Sequence, residues 1–116
     1  MNIMIVDDNI DAAMSLAQLL EASGHTVLVR SGALQALETE APAQPDAFIL
    51  DIGMPGMDGY ELARRLRAQP RFAASLMIAL TGYGQDEHRE LALKAGFDHH
   101  LVKPVTLEKL LAVLTA

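Results

Sequence analysis

Hydrophobic and polar positions along this chain fall into two alternating kinds of segment. Short, nearly continuous apolar runs occur at Ile3–Val6, Thr26–Val29, Ala47–Leu50, Leu76–Leu80 and, with the weakest pattern, His99–Val102. A strand with one wet face alternates apolar and polar residues, whereas a strand covered on both faces has no need to. These runs therefore predict the buried strands of a parallel sheet.

Between the runs, apolar residues recur at helical spacing. A first helix is predicted from about Asp11 to Ser23, with Ala13, Ala17 and Leu20 on one stripe and Gly24 as its stop. A second is predicted near Gly32–Glu40, with Ser31 as N-cap and Pro42 just beyond. A third starts at Asp58, where Glu61 completes a capping box, and ends before Pro70. The fourth opens with Asp86 and Glu87 and closes with Lys94 and Gly96, matching the helix dipole at both ends. The fifth follows Thr106 and carries Leu107, Leu110, Leu111 and Leu114. Five β–α units in succession predict right-handed crossovers and a doubly wound parallel sheet, in one α/β domain over residues 1–116.

In such sheets a ligand sits outside the carboxyl ends of the strands, near the point where strand order reverses. The residues just after each strand are therefore the informative ones. Asp7 and Asp8 follow the first strand, Asp51 the third, Thr81 and Gly82 the fourth, and Lys103 and Pro104 the fifth, while Arg30 and Ser31 end the second. Carboxylates gathered at one edge repel each other, and one of them takes up a proton unless a cation joins them. A hard divalent ion with oxygen ligands resolves the conflict, and Mg²⁺ does so with one or two carboxylates while keeping several waters. Asp7 and Asp8 are thus expected to hold Mg²⁺, with Mn²⁺ able to substitute. Asp51 is the candidate nucleophile for an aspartyl-phosphate, with the Thr81 hydroxyl and the Lys103 ammonium as phosphate contacts.

Composition narrows the partners. The 116 residues suit one domain, and 51% hydrophobic against 21% charged residues is ordinary globular usage. The net charge of −6 argues against direct binding of nucleic-acid phosphate. There are no cysteines, so no disulfide framework or thiolate metal site is expected. The N-terminus lacks the basic start and cleavage site of a secretory signal, and no apolar run approaches the ~20 residues that span a bilayer, so a cytoplasmic domain without membrane contact is expected. The chain begins beside its first strand and ends with its last helical pattern, which leaves two expectations, a module cut from a longer protein or a compact stand-alone protein.

The segments "IMIVDDN", "LDIGMPGMDGYE", "ALTGYG" and "VKP", in that order and each at a strand end, resemble the receiver domain of two-component response regulators over the whole chain. "DIGMPGMDGYELARRLR" and "AGFDHHLVKP" look most like receivers fused to hybrid sensor histidine kinases. The resemblance implies a flavodoxin-like sheet in the order 2-1-3-4-5 with five helices. It implies phosphorylation of Asp51 by a histidine kinase or histidine phosphotransfer domain. It implies Mg²⁺ ligation by Asp8, Asp51 and the Gly53 carbonyl, with Asp7 acting through a metal-bound water. Thr81 takes the place of the switch hydroxyl, Lys103 that of the phosphate-binding lysine, and Pro104 that of a proline after a cis peptide bond. His100 stands where the family usually has Tyr or Phe, so the switch partner of Thr81 is expected to be an imidazole. Gly53, two residues after Asp51, offers no side chain to orient or block an attacking water.

Other functions fit less well. A haloacid-dehalogenase-like phosphatase wants an acid where Gly53 stands. A flavodoxin needs a hydroxyl- and glycine-rich phosphate loop where "DDNIDAA" would repel phosphate. A degenerate receiver that works without phosphorylation would not need the full acidic set. His99 and His100 are neighbours on a strand and point to opposite faces, so they cannot share a metal. His25 and His88 lie elsewhere, and Arg64, Arg65 and Arg67 are expected to form a solvated helix face.

Overall fold

All five apolar runs form strands, and four of them extend slightly beyond the predicted limits. The computed structural model describes residues 1–38, 44–54, 56–82 and 86–115, of which 86–89 are described by their backbone alone. The strands are β1 (Asn2–Val6), β2 (Thr26–Arg30), β3 (Ala47–Asp51), β4 (Leu76–Thr81) and β5 (His99–Val102). The helices are α1 (Ile10–Ala22), α2 (Ala33–Leu37), α3 (Gly59–Arg67), α4 (Asp86–Ala95) and α5 (Leu107–Leu114). The expected stop at Pro42, Pro55, and residues 83–85 between β4 and α4 lie outside the described residues.

The sheet is parallel throughout, in the order β2-β1-β3-β4-β5. Alternate strand residues feed two hydrophobic layers. Met4, Val6, Phe48, Leu50, Met77 and Ala79 pack under α2, α3 and α4. Ile3, Ile5, Ile49, Ile78 and Leu80 pack under α1 and α5 through Ala13, Ala17, Leu20, Leu110 and Leu114. Both faces are covered, which is why the strands read as continuous apolar runs rather than alternating ones. The two central strands, β1 and β3, bring their carboxyl ends level with each other through the pair Val6 and Leu50. Asp7 and Asp51 therefore emerge side by side.

Three local expectations need correction. Ser31 is not the N-cap of α2: Gly32, in extended backbone, holds that place without a side-chain hydrogen bond. At α3 the Asp58 carboxylate caps the Glu61 amide at 3.0 Å, but Glu61 does not reach back. Its oxygens are instead drawn to Arg64 at 2.8 Å and Arg65 at 3.1 Å, and these hydrogen bonds, with Arg65 the stronger influence, lower the Glu61 pKa. Arg67 does not belong to a solvated face. Its guanidinium turns inward and donates to the carbonyls of Gly96, Phe72, Ala73 and Ser75 and, at 2.7 Å, to the Asp98 carboxylate. The acceptors lie on a 3₁₀ turn (Pro70–Phe72), the entry to β4 and the α4–β5 turn, none of which helical periodicity could bring together.

Candidate functional site

The carboxyl edge of the sheet gathers residues from four strand ends. β3 is the most enclosed strand, with every residue from Ala47 to Asp51 buried. Asp51 is its last residue and is only 7% exposed. The next residue leaves β3 but stays tied to the sheet, since the Ile52 amide donates to the Leu80 carbonyl at 3.0 Å. The chain then turns so that the Gly53 amide donates to Asp51 Oδ1 at 3.2 Å.

Asp7 leaves β1 beside it and is 4% exposed. Its backbone is pinned by an amide hydrogen bond to the Arg30 carbonyl at 3.1 Å. Its Oδ1 accepts the Asn9 amide at 2.9 Å, and Asn9 in turn caps α1 by accepting from Ala12 at 3.2 Å. Asp8, between them, is exposed. Carboxylate oxygens of Asp7, Asp8 and Asp51 all lie within 4.8 Å of one another. Among the described residues this is the group able to hold a metal ion, and no histidine belongs to it.

β4 and β5 supply the other two groups. Thr81 ends β4, buried, and its carbonyl accepts the Lys103 amide at 2.7 Å. That bond carries the β4–β5 ladder one step past Val102 and aims Lys103 back over the site. Its ammonium lies 3.1 Å from Asp51 Oδ1 and 3.6 Å from Asp7 Oδ2. The Lys103–Pro104 peptide is cis. His100 and His99 fall on opposite sides of β5, as alternation requires, with His99 level with Ile78 and His100 level with Ala79.

The donor set fits a small divalent cation. Three carboxylates cluster here, the buried Asp7 and Asp51 beside the Lys103 ammonium and Asp8 exposed, and all their ligand atoms are oxygen. Burial raises the Asp7 pKa first of all, and the neighbouring Asp51 charge adds to this, while the Asn9 amide and Lys103 oppose it. An acid held above its ordinary range beside a second acid marks a site short of positive charge.

Two features escaped the sequence analysis. A groove of about 510 Å³ runs from Asp7 and Lys103 between α1 and the β5–α5 loop, lined by Leu16, Leu19, Pro104 and Val105 among others. Gly59 opens α3 directly against the backbone of Asp51 and Ile52. The groove had no signal in the sequence, because its walls are distant in the chain. Gly59 had one: glycine is a poor helix former, so its presence in the first turn asks for a reason of space.

The sequence model of the response regulator receiver domain matches residues 3–115. The chain belongs to the response regulator receiver family. The Response regulator MprA of Mycobacterium ulcerans is 38% identical over 114 residues, which cover 98% of this chain and 48% of that protein. An uncharacterised 14.6 kDa protein of Leptolyngbya boryana is 40% identical over 105 residues, covering 90% of this chain and 80% of its own. Against the MprA relatives the receiver thus spans about half of their length. Its fold is similar to that of the chemotaxis response regulator CheY4 of Vibrio cholerae, with a TM-score of 0.91 at 28% identity over 98% of this chain and 95% of that one. The receiver is a signalling domain of two-component systems. Among its described residues, no helix is long and apolar enough to cross a membrane.

Proposed function

We propose that the receiver, residues 1–116, takes a phosphoryl group onto Asp51 from the phosphohistidine of a histidine kinase or histidine phosphotransfer domain. One observation carries this: a buried strand-end carboxylate lies 3.1 Å from the Lys103 ammonium, with carboxylate oxygens of Asp7 and Asp8 within 4.8 Å. An Asp51 oxygen attacks phosphorus. The phosphorus–nitrogen bond breaks, and its electron pair returns to the donor imidazole, which takes a proton from solvent. Lys103 shifts its charge from the Asp51 carboxylate to the added phosphoryl oxygens. Thr81, buried at the neighbouring strand end, donates its hydroxyl to them. Burial of Asp51 keeps competing water away until the donor docks.

Asp8, Asp51 and the Gly53 carbonyl would hold Mg²⁺, or Mn²⁺ in its place, with Asp7 acting through a bound water. When bound, the ion offsets the negative charge of the carboxylates and of the incoming phosphoryl group. The groove beside Asp7 and Lys103 suits an apolar surface of the phosphohistidine donor. It is continuous with the site, and Leu16, Leu19, Pro104 and Val105 give it an apolar wall. Thr81 and His100 form the switch that couples phosphorylation to the surface. The domain works in the cytoplasm with its donor; a kinase core encoded directly upstream would make it the receiver of a hybrid sensor kinase, and a lone reading frame would make it a free phosphate shuttle or a partner-binding switch.

Treatment with acetyl phosphate and Mg²⁺ should raise the intact mass by one phosphate, and Asp51→Asn should abolish the gain. Excess chelator, or Asp8→Ala, should suppress it. Undiminished labelling of Asp51→Asn, or equal labelling in chelator, overturns the proposal.

A further inference from the structure

Gly59 occupies the first position of α3, where the helix meets the end of β3. Its amide donates to the Ile52 carbonyl at 3.3 Å. A Cβ at position 59 would lie 2.6 Å from the Asp51 carbonyl oxygen, 2.9 Å from Ile52 Cα and 2.9 Å from Ile52 Cδ1. Carbon does not approach so closely, and two of the three atoms are backbone that no rotamer change can move. Gly59 does not have a positive φ, so glycine is required here for space rather than for conformation.

Other glycines at the same edge are not so confined. Among the described residues, a Cβ at Gly53 would meet Asp51 Oδ1 at 3.9 Å and nothing nearer, and one at Gly82 would meet nothing within 4 Å. Neither body at the Gly59 contact can yield easily. β3 is hydrogen-bonded on both sides, by β1 and by β4. α3 is anchored by buried Leu62, Ala63 and Leu66, and Asp58 fixes its start by accepting from the Glu61 amide.

We infer that Gly59 is a positioning residue for the phosphoacceptor: its missing side chain lets the first turn of α3 seat on the Asp51–Ile52 backbone and so sets where the Asp51 carboxylate points relative to Asp7, Asp8 and Lys103. Even one methyl group at this contact displaces residues 51 and 52 or lifts the helix. In either case the carboxylate moves within a cluster whose members sit only a few ångströms apart. The inference rests on Asp51 being the phosphoacceptor and a Mg²⁺ ligand.

The test compares wild type, Gly59→Ala and Gly82→Ala. Mg²⁺ affinity is measured by calorimetry well below each melting temperature, and the rate of labelling by acetyl phosphate at saturating Mg²⁺. Trimethylamine oxide is added throughout, since it favours the folded state without occupying the site. Gly59→Ala should weaken Mg²⁺ binding and slow labelling, each by about tenfold or more, because small misplacements of reacting groups carry large rate costs. In the metal-free protein its Asp51 and Ile52 amide resonances should shift. Gly82→Ala should match wild type. Adding Ile52→Val to Gly59→Ala should not rescue, because the backbone contacts persist. Wild-type Mg²⁺ affinity in a merely less stable Gly59→Ala, or full rescue by Ile52→Val, overturns the inference. Failure of wild type to label at Asp51 would instead overturn the proposed function, so the two are distinguishable.

Discussion

Burial holds the Asp7 carboxyl above its ordinary range, with the Asp51 charge adding to the effect and the Asn9 amide and Lys103 working against it. The folded protein therefore takes up this proton more readily than the unfolded chain. The stabilisation it brings is complete below the ordinary carboxylate range and is lost as pH rises through the raised folded value. Near neutrality, in chelator, Asp7→Asn should melt above wild type, and the difference should shrink as pH falls through that window. Melting curves that stay parallel from pH 7 downward would contradict this. At Gly53 a side chain has room among the described residues, where its Cβ would meet Asp51 Oδ1 at 3.9 Å and nothing nearer. Gly53→Met should change stability by less than about 0.5 kcal/mol, as exposed substitutions usually do. It should lengthen the phosphoryl lifetime several-fold by screening the bond from water. A half-life equal to wild type, read by intact mass over time, would exclude that role.

Among the elements, α3 is held at both ends by interactions of different kinds. At its start, Gly59 allows backbone contact with β3, and Asp58 caps the first turn. At its end, Arg67 gathers four carbonyls and the Asp98 carboxylate, whose Oδ2 also accepts the Met77 amide at 2.9 Å. A planar fork with five donors suits such a set, and a lysine ammonium does not. Arg67→Ala should lower the unfolding free energy by about 2–3 kcal/mol, the scale of hydrogen bonds to a charged group. Arg67→Lys should recover only part of it. Urea midpoints equal to wild type for Arg67→Ala would show the knot to be idle. The two-letter difference between Arg65 and Arg67 is invisible to composition. Helical phase turns Arg67 inward, and what it meets there comes from other parts of the chain.

At the scale of the whole molecule, the proposed phosphoacceptor and the proposed switch imidazole lie on different parts of the sheet. Thr81 ends β4 and Lys103 follows β5 at the edge that holds Asp51, while His100 lies further down β5, level with Ala79. A phosphoryl group on Asp51 biases a conformational equilibrium only through contacts that differ between its two states. Beryllofluoride, a stable mimic of that group, should perturb amide resonances from Thr81 through Lys109, including residues 83–85. Thr81→Ala should shrink the remote changes while leaving Asp51 reactive. Perturbations confined to Asp7, Asp8, Asp51 and their neighbours would recast the domain as a phosphate relay without conformational output.

The chain alone determined the five strands, the five helices and the residues that follow each strand. Burial on both faces writes itself into unbroken apolar runs, and helical periodicity, caps and stops mark the connections between them. Because a parallel α/β sheet puts all its carboxyl ends on one edge, Asp7, Asp8, Asp51, Thr81 and Lys103 were legible as neighbours before any coordinate. Where a choice hung on local competition, the sequence was ambiguous: Ser31 and Gly32 both precede α2, and Glu61 had Asp58 on one side and two arginines on the other. Contacts between segments distant in the chain were decided by tertiary structure alone. These are the turn of Arg67 into the far end of the sheet, the groove between α1 and the β5–α5 loop, and the seat of Gly59 on Asp51. Their partners are fixed by how helices pack on the finished sheet, and periodicity specifies only which face of a helix packs, not what it meets there.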